Sequence, residues 1–332
     1  MMEAPTLYLE TGSTDPAYNL AFEETVLNCR WTGEILILWQ NDNTVVIGQN
    51  QNAEAEIDRA FVEAHNIRVI RRMTGGGAVY HDLGNLNYSF ITDAGDAEHL
   101  TLERFTRPIV EALRGLGLSA EASGRNDILV EGRKVSGTAQ RIAKGRILYH
   151  GTLLFDANPD MIAGALQADP AKFQSKSTRS VRSRVVNIRP LLRVDMDLPA
   201  FWAYLKEFLG KGALRQDALT EAELEQVRRL KVEKYDTWEW NFGKSPLFSV
   251  RRKQKWDGGI LEVGANVEEG RIAQIRFYGD FLSLAPLGPL EQALEGCPFR
   301  REDVGAVLDA CPLPLYFGSL RKQEILNTLF LG

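Results

Sequence analysis

Short apolar runs alternate along the chain with turn-forming residues, and their spacing predicts helices and strands in irregular order. Asp15-Pro16 sets a capping carboxylate before a proline at the first helical position, after which Tyr18, Phe22, Val26 and Cys29 fall near one helix face. Two runs of branched residues, 35–39 and 44–47, read as strands separated by the turn Asn41-Asp42-Asn43. Ile57, Phe61 and Val62 predict a helix, and residues 67–70 a strand that enters a glycine-rich stretch. Beyond it, 78–80 and 86–91 read as strands, and Phe105, Ile109, Leu113 and Leu116 mark a helix stopping near Gly115 and Gly117.

The centre of the chain changes character. Residues 128–130, 134–137 and 147–155 read as strands joined at Glu131-Gly132 and Lys144-Gly145, turns that close hairpins and so favour antiparallel pairing. Segments 199–209 and 219–235 read as helices, and glycine and proline punctuation over 241–246 marks a domain boundary. The remainder is a small α/β unit: a hairpin of 261–267 and 271–278 about Glu268-Glu269-Gly270, closing in a helix over 320–329. The expected fold class is mixed α/β (α+β), with largely antiparallel sheets. At 332 residues one large and one smaller domain are expected.

Composition removes several function classes. With 44% hydrophobic and 25% charged residues and a net charge of −5, the chain has no global bias toward nucleic acid or anionic membrane. No apolar run is long enough to cross a bilayer and the N-terminus lacks a secretory pattern, so the expected location is cytoplasmic. Cys29, Cys297 and Cys311 are widely spaced, in no metal or redox pattern, and read as small buried hydrophobes.

Chemistry concentrates in three stretches. Arg71-Arg72-Met73-Thr74-Gly75-Gly76-Gly77-Ala78-Val79-Tyr80-His81-Asp82 follows a strand. Its glycines permit φ > 0 and close backbone approach to an anion, while its arginines supply fixed positive charge; a plain turn with solvated arginines is the alternative. Gly124-Arg125-Asn126-Asp127 precedes Gly132-Arg133-Lys134-Val135-Ser136-Gly137. Lys134, among small residues, suits a phosphate or a developing oxyanion, against an ordinary surface lysine. Asn126 and Asp127 offer oxygens for magnesium, or simply a turn. Lys172, Lys176, Arg179, Arg182, Arg184 and Arg189 form a basic run with no acidic residue from 171 to 194, either a binding segment or a solvated face. The phosphate-loop pattern is absent. Residues 115–120 formally match a dinucleotide fingerprint but stand at a helix end rather than between strand and helix.

Together with His150-Gly151-Thr152-Leu153-Leu154, Ser180-Val181-Arg182-Ser183-Arg184-Val185 and Trp238-Glu239-Trp240-Asn241-Phe242-Gly243, these stretches resemble the lipoate-protein ligase family in type and order over nearly the whole chain. Met73-Thr74 departs mildly from the usual pair ending in serine, keeping a hydroxyl. The resemblance is to the long bacterial form: a biotin/lipoate ligase-like catalytic domain over 1–245 and an accessory domain over 250–332. It implies two steps, attack of the lipoate carboxylate on the α-phosphate of ATP and then transfer from lipoyl-adenylate to a lysine of an acceptor lipoyl domain.

By that resemblance Lys134 is catalytic and touches both carboxyl and α-phosphate. Arg72, Gly75, Gly76, Gly77, Ala78, Val79 and Tyr80 bind ATP with it. Arg71, Thr74, His81 and His150 lie along lipoate, Asn126 and Asp127 hold Mg2+, and Arg179, Arg182 and Arg184 belong to a lid that meets the acceptor. The implied acceptors are lipoyl domains of 2-oxoacid dehydrogenase E2 subunits and the glycine cleavage H protein, with no nucleic acid or membrane partner and a monomeric enzyme. The competing readings are an octanoyl transferase of the same fold, which needs a cysteine nucleophile that none of the motifs contains, and a non-catalytic ligand-binding module.

Overall fold

The computed structural model describes residues 7–330 except 31, 96–102, 125, 167–184, 243–249 and 269. In chain order the first strands are β1 (Leu7–Glu10), β2 (Ile35–Trp39), β3 (Thr44–Ile47), β4 (Arg68–Arg71), β5 (Val79–His81), β6 (Asn85–Asp93) and β7 (Ala120–Ser123). They are followed by β8 (Asp127–Val130), β9 (Arg133–Ala143), β10 (Arg146–Leu154), β11 (Arg215–Gln216), β12 (Val250–Trp256), β13 (Gly259–Glu268) and β14 (Arg271–Gly279).

Eight of these strands form one sheet in the order β11-β1-β2-β6-β10-β9-β8-β7, flanked by the small sheet β4-β3-β5 and a C-terminal sheet β12-β13-β14. The large sheet is antiparallel from β2 to β7, while β1 runs parallel to β2 and β11, and β3 parallel to β4. Both predicted hairpin turns form. Glu131 and Gly132 have φ of 51° and 72°, and Lys144 and Gly145 φ of 51° and 76°, the paired left-handed residues that match the twist of a tight hairpin.

Both faces of the large sheet are covered, which is why β2 (ILILW) is buried at every position. One face packs Tyr88, Phe90, Ile147 and Tyr149 against helices Glu103–Gly115 and Leu198–Gly210. The other packs Ile37, Trp39 and Leu148 against α1 (Pro16–Cys29), whose Asp15 cap and Pro16 are as predicted. On this second face β6 carries polar Asn87 and Ser89, both fully enclosed.

Several elements differ from the sequence reading. The strand expected over 134–137 continues to Ala143, its later polar positions facing the cleft and the C-terminal unit rather than water. The helix expected over 219–235 is Glu221–Leu230 followed by a π-helical turn, Lys231–Tyr235, in which Tyr235 is buried and its hydroxyl donates to Glu24 at 2.6 Å. The polar edge strand β12, exposed at five of its seven positions, gave no apolar signal.

The C-terminal sheet packs on helices Gly288–Leu294, Arg301–Asp309, Leu313–Phe317 and Lys322–Phe330 around its own core. It docks on the larger unit by backbone bonds from Gly279 N–H to Asn50 O at 2.8 Å and from Ile142 N–H to Leu284 O at 2.8 Å. Most of the predicted boundary over 241–246 lies outside the described residues.

Candidate active site

β3 and β4 end side by side, and the glycine-rich stretch leaves β4 to return as β5, the opposite edge strand of the small sheet. Gly76 has φ of +87°, where a side chain is strained. A second glycine that the sequence reading passed over supports it from below: a Cβ on Gly48 would sit 2.0 Å from the Gly76 carbonyl oxygen. Arg72 straps the loop from inside. Its Nη2 donates to the carbonyls of Gly75 at 2.6 Å and Gly77 at 2.8 Å, its Nη1 to Val46 O and its Nε to the Thr74 hydroxyl. Burial pulls its pKa down to about 10, which leaves the guanidinium charged at neutral pH.

The loop forms one wall of an open cleft with a cavity volume of about 90 Å³, whose floor is the second face of β2, β6, β10 and β9. Lys134 enters from β9, where a register shift against β8 re-aims it. Its Nζ folds back to within 3.0 Å of where a Cβ on Gly137 would lie, so the absence of that side chain makes the seat. Asp127 Oδ1 holds the ammonium at 2.7 Å, with both side chains about one-third exposed (33% and 35%). The Lys134 carbonyl accepts from Val186 N–H at 2.9 Å, so the later part of the basic run is anchored on the strand that carries this lysine.

Behind the loop lies a buried polar chain. His150 Nδ1 lies 3.1 Å from both oxygens of the Glu23 carboxylate, which also accepts from Ser89, itself the acceptor for Trp39 Nε1–H at 2.9 Å. The Thr74 hydroxyl accepts from Arg72 and pairs with His150 Nε2 at 2.8 Å. His81 stands nearby, 3% exposed, its pKa lowered to about 3 by burial and then by Arg72 and His150, so it is neutral.

Of the residues singled out in sequence, Arg72, Gly76, Gly77, Ala78, Val79, His81, Asn126, Lys134 and His150 line the cleft. Four do not. Arg71 is wholly buried, and its guanidinium donates to the carbonyls of Gly48, Gln49, Gln51, Trp240 and Asn241. It is an internal brace, not a lipoate ligand. Arg71→Met is therefore expected to lower unfolding stability by about 2–4 kcal/mol, because it strands buried acceptors. Denaturant titration checks this, and the folded fraction should keep its affinity for the carboxylic acid substrate.

Thr74 sits behind the loop as the spacer between Arg72 and His150. Gly75 faces the C-terminal unit, where a Cβ would meet Phe281 O at 2.8 Å and Ser283 N at 2.9 Å. Tyr80 points away into the core of the small sheet, with its hydroxyl on Asn43, as alternation along β5 requires once Val79 and His81 face the cleft.

Asn126 and Asp127 are already engaged, the first cross-tied to Thr138 and the second to Lys134. Among the described residues no group of three or more His, Cys, Asp or Glu could hold a metal. A lone carboxylate fits magnesium only as a site completed by phosphate oxygens and water. Arg179, Arg182 and Arg184, with Lys172 and Lys176, lie outside the described residues. Arg189 pairs with Asp156 at 2.7 Å and Asp195 at 3.4 Å, on the surface. None of the three cysteines lines the cleft, and Cys297 and Cys311 pack on the C-terminal core.

Glu23, Trp39, Asn87 and Gly48 were missed. Glu23 and Asn87 had a legible signal, a polar residue adjoining apolar positions in a predicted helix or strand. Gly48 had none, since its role depends on a loop distant in sequence.

The chain matches the Lipoyl protein ligase A/B catalytic domain family over residues 15–210 and the Bacterial lipoate protein ligase C-terminus over 245–329. It is 39% identical over 322 residues to lipoate-protein ligase LplJ of Bacillus subtilis, covering 95% of this chain and 97% of the relative. Among solved structures it is similar to a bi-partite lipoate protein ligase of Thermoplasma acidophilum, described with its E2 lipoyl domain, at 32% identity and a TM-score of 0.64 over 75% of this chain and all (100%) of that one. A lipoate-protein ligase A bound with ATP matches at 32% identity and a TM-score of 0.62, covering 73% of this chain and 99% of that one. No helix among the described residues is long and apolar enough to cross a membrane. With both parts of the chain matched and that identity sustained along nearly its whole length, the chain belongs to the lipoate-protein ligase family.

Proposed function

We propose that this enzyme joins free lipoate to a lysine of lipoyl-domain proteins through lipoyl-adenylate. The observation that carries the reading is the placement of Lys134, seated over Gly137 in the same cleft as the glycine loop and the free edge of β5. A fixed ammonium there meets a carboxylate and an α-phosphate together. In the first step a carboxylate oxygen attacks the α-phosphorus and pyrophosphate leaves. In the second the acceptor ε-amine attacks the acyl carbon, AMP leaves and the amine proton is lost. No group on the enzyme becomes covalently attached, so rate comes from positioning and charge stabilisation.

Arg72 holds the loop open to the phosphates by taking the carbonyls of Gly75 and Gly77 out of their way. Gly76, Gly77, Ala78 and Val79 offer backbone to the nucleotide, and Asp127 orients Lys134. Magnesium, when bound with the nucleotide, would neutralise phosphate charge, with Asp127 and Asn126 as its nearest protein oxygens. The proposal includes a catalytic domain over 1–245 and an accessory domain over 250–332. Its acceptors are E2 lipoyl domains and the glycine cleavage H protein, met by Arg179, Arg182 and Arg184, and it acts as a cytoplasmic monomer.

Incubation with ATP, magnesium, lipoate and an apo lipoyl domain, each omitted in turn, tests the reading: acyl transfer should require all four. Converting Cys29, Cys297 and Cys311 together to serine should leave the rate within about twofold, as surface and partly buried changes away from a site usually do. A folded triple variant unable to form the lipoyl amide would favour the cysteine-dependent transferase.

A further inference from the structure

The cleft has a polar far end, and its chemistry resolves atom by atom. Asn19 Nδ2 donates to the carbonyls of Ser13 at 3.0 Å and Gln40 at 2.7 Å, which fixes that amide's orientation. Asn41 Oδ1 stands 2.9 Å from the same Nδ2 and shares its hydrogens with those carbonyls, an orientation that keeps the two amide nitrogens apart and leaves Asn41 Nδ2 toward His81 Nδ1, 3.1 Å away. His81 therefore accepts at Nδ1 and carries its proton on Nε2. His81 lines the cleft, and its Nε2–H is buried with no partner among the described residues. Asn87, 2% exposed and also lining the cleft, accepts at Oδ1 from Asn85, and its Nδ2 has no partner among the described residues either.

Sheet register says how far these donors lie from the lysine. Lys134 Nζ rests over Gly137, whose N–H donates to Thr152 Oγ1 on the next strand; Thr152 is opposite Asn87 on β6, and Asn87 is opposite Trp39 on β2. Strands stand about 4.8 Å apart, which puts Asn87 roughly 10 Å across the floor from the lysine seat. The Trp39 ring closes the row, edge-on to His81 at 6.4 Å between centroids. A carboxylate held at Lys134, followed by four methylenes, delivers the two ring sulfurs of lipoate to this row.

We propose that His81 Nε2–H, with Asn87 Nδ2–H beside it, donates to the dithiolane sulfurs and makes the enzyme discriminate lipoate from an acyl chain of the same shape without sulfur. The inference rests on the ligase reading above and deepens it. Sulfur is a weak but polarisable acceptor, and a buried donor left facing methylene would go unmatched. The cost of that mismatch falls on the straight-chain and carbocyclic acids alone.

The test uses the full chain and three acids: lipoate, octanoate and 5-cyclopentylpentanoate, the last with the ring of lipoate but methylenes for sulfurs. Pyrophosphate exchange into ATP gives kcat/KM for each. Wild type should favour lipoate over the carbocycle by about three- to tenfold, the range of one or two modest hydrogen bonds. In His81→Phe and in Asn87→Leu that ratio should fall toward one, with lipoate losing most. Equal use of lipoate and carbocycle by wild type would overturn the proposal, as would folded variants that keep the wild-type ratio. If one variant does not fold, the other and the wild-type comparison still decide. A wild type that activates none of the three acids overturns the ligase reading itself and this inference with it.

Discussion

Lys134→Ala is expected to lose adenylate formation and acyl transfer together while the protein remains folded. The ammonium is one-third exposed and contributes to no core, so its removal leaves the hairpin of β8 and β9 intact. On the proposed mechanism, what it removes is the positive charge that meets the acyl carboxylate and the α-phosphate as negative charge is redistributed. Loss of one such preorganised contact raises a barrier by about 2.7–4 kcal/mol, a rate fall of roughly a hundredfold to a thousandfold. Exchange of pyrophosphate into ATP reports the first step, and transfer from synthetic lipoyl-adenylate reports the second. Near-normal exchange in a folded variant would take this lysine out of the mechanism.

Gly76→Val should be as damaging by a different route. At φ of +87° a β-branched residue is strained, and the new Cβ would lie 3.0 Å from Arg72 Nη2, the atom that straps the loop. The expected result is loss of nucleotide affinity by at least about a hundredfold, given two or more kcal/mol of backbone and contact strain acting on the binding surface. Titration with a non-hydrolysable ATP analogue measures it, and thermal unfolding separates loop damage from global loss. Unchanged nucleotide binding would return the triple glycine to a plain turn.

Much of this architecture was legible because local chemistry and tertiary structure agree. The Asp15-Pro16 start, the two left-handed hairpin turns and the strand feeding Arg72 into the glycines all depend on residues adjacent in sequence. The misreadings share one cause. Two adjacent arginines look alike in a string of letters, yet alternation on β4 sends Arg71 into the carbonyls around Gly48 and Asn241 and leaves Arg72 beneath the loop. Thr74 and Gly75 were likewise assigned to the ligand side of a turn whose other side is already occupied, by His150 and by the C-terminal unit. Glu23 and Gly48 act on partners 127 and 28 residues away, relations set by how α1 packs on the large sheet and how two loops meet.

The enclosure of His81 has an outcome for acid conditions. An unfolded histidine titrates near pH 6.5, whereas this one, held by burial and by the facing Arg72 and His150, does so only at about 3. Between those values the unfolded chain takes up a proton that the native state refuses, so stability is full above pH 6.5 and declines as acid is added. The same imidazole stays neutral through that whole window, with its proton on Nε2. Falling pH thus withdraws this contribution to the fold before it protonates the native imidazole.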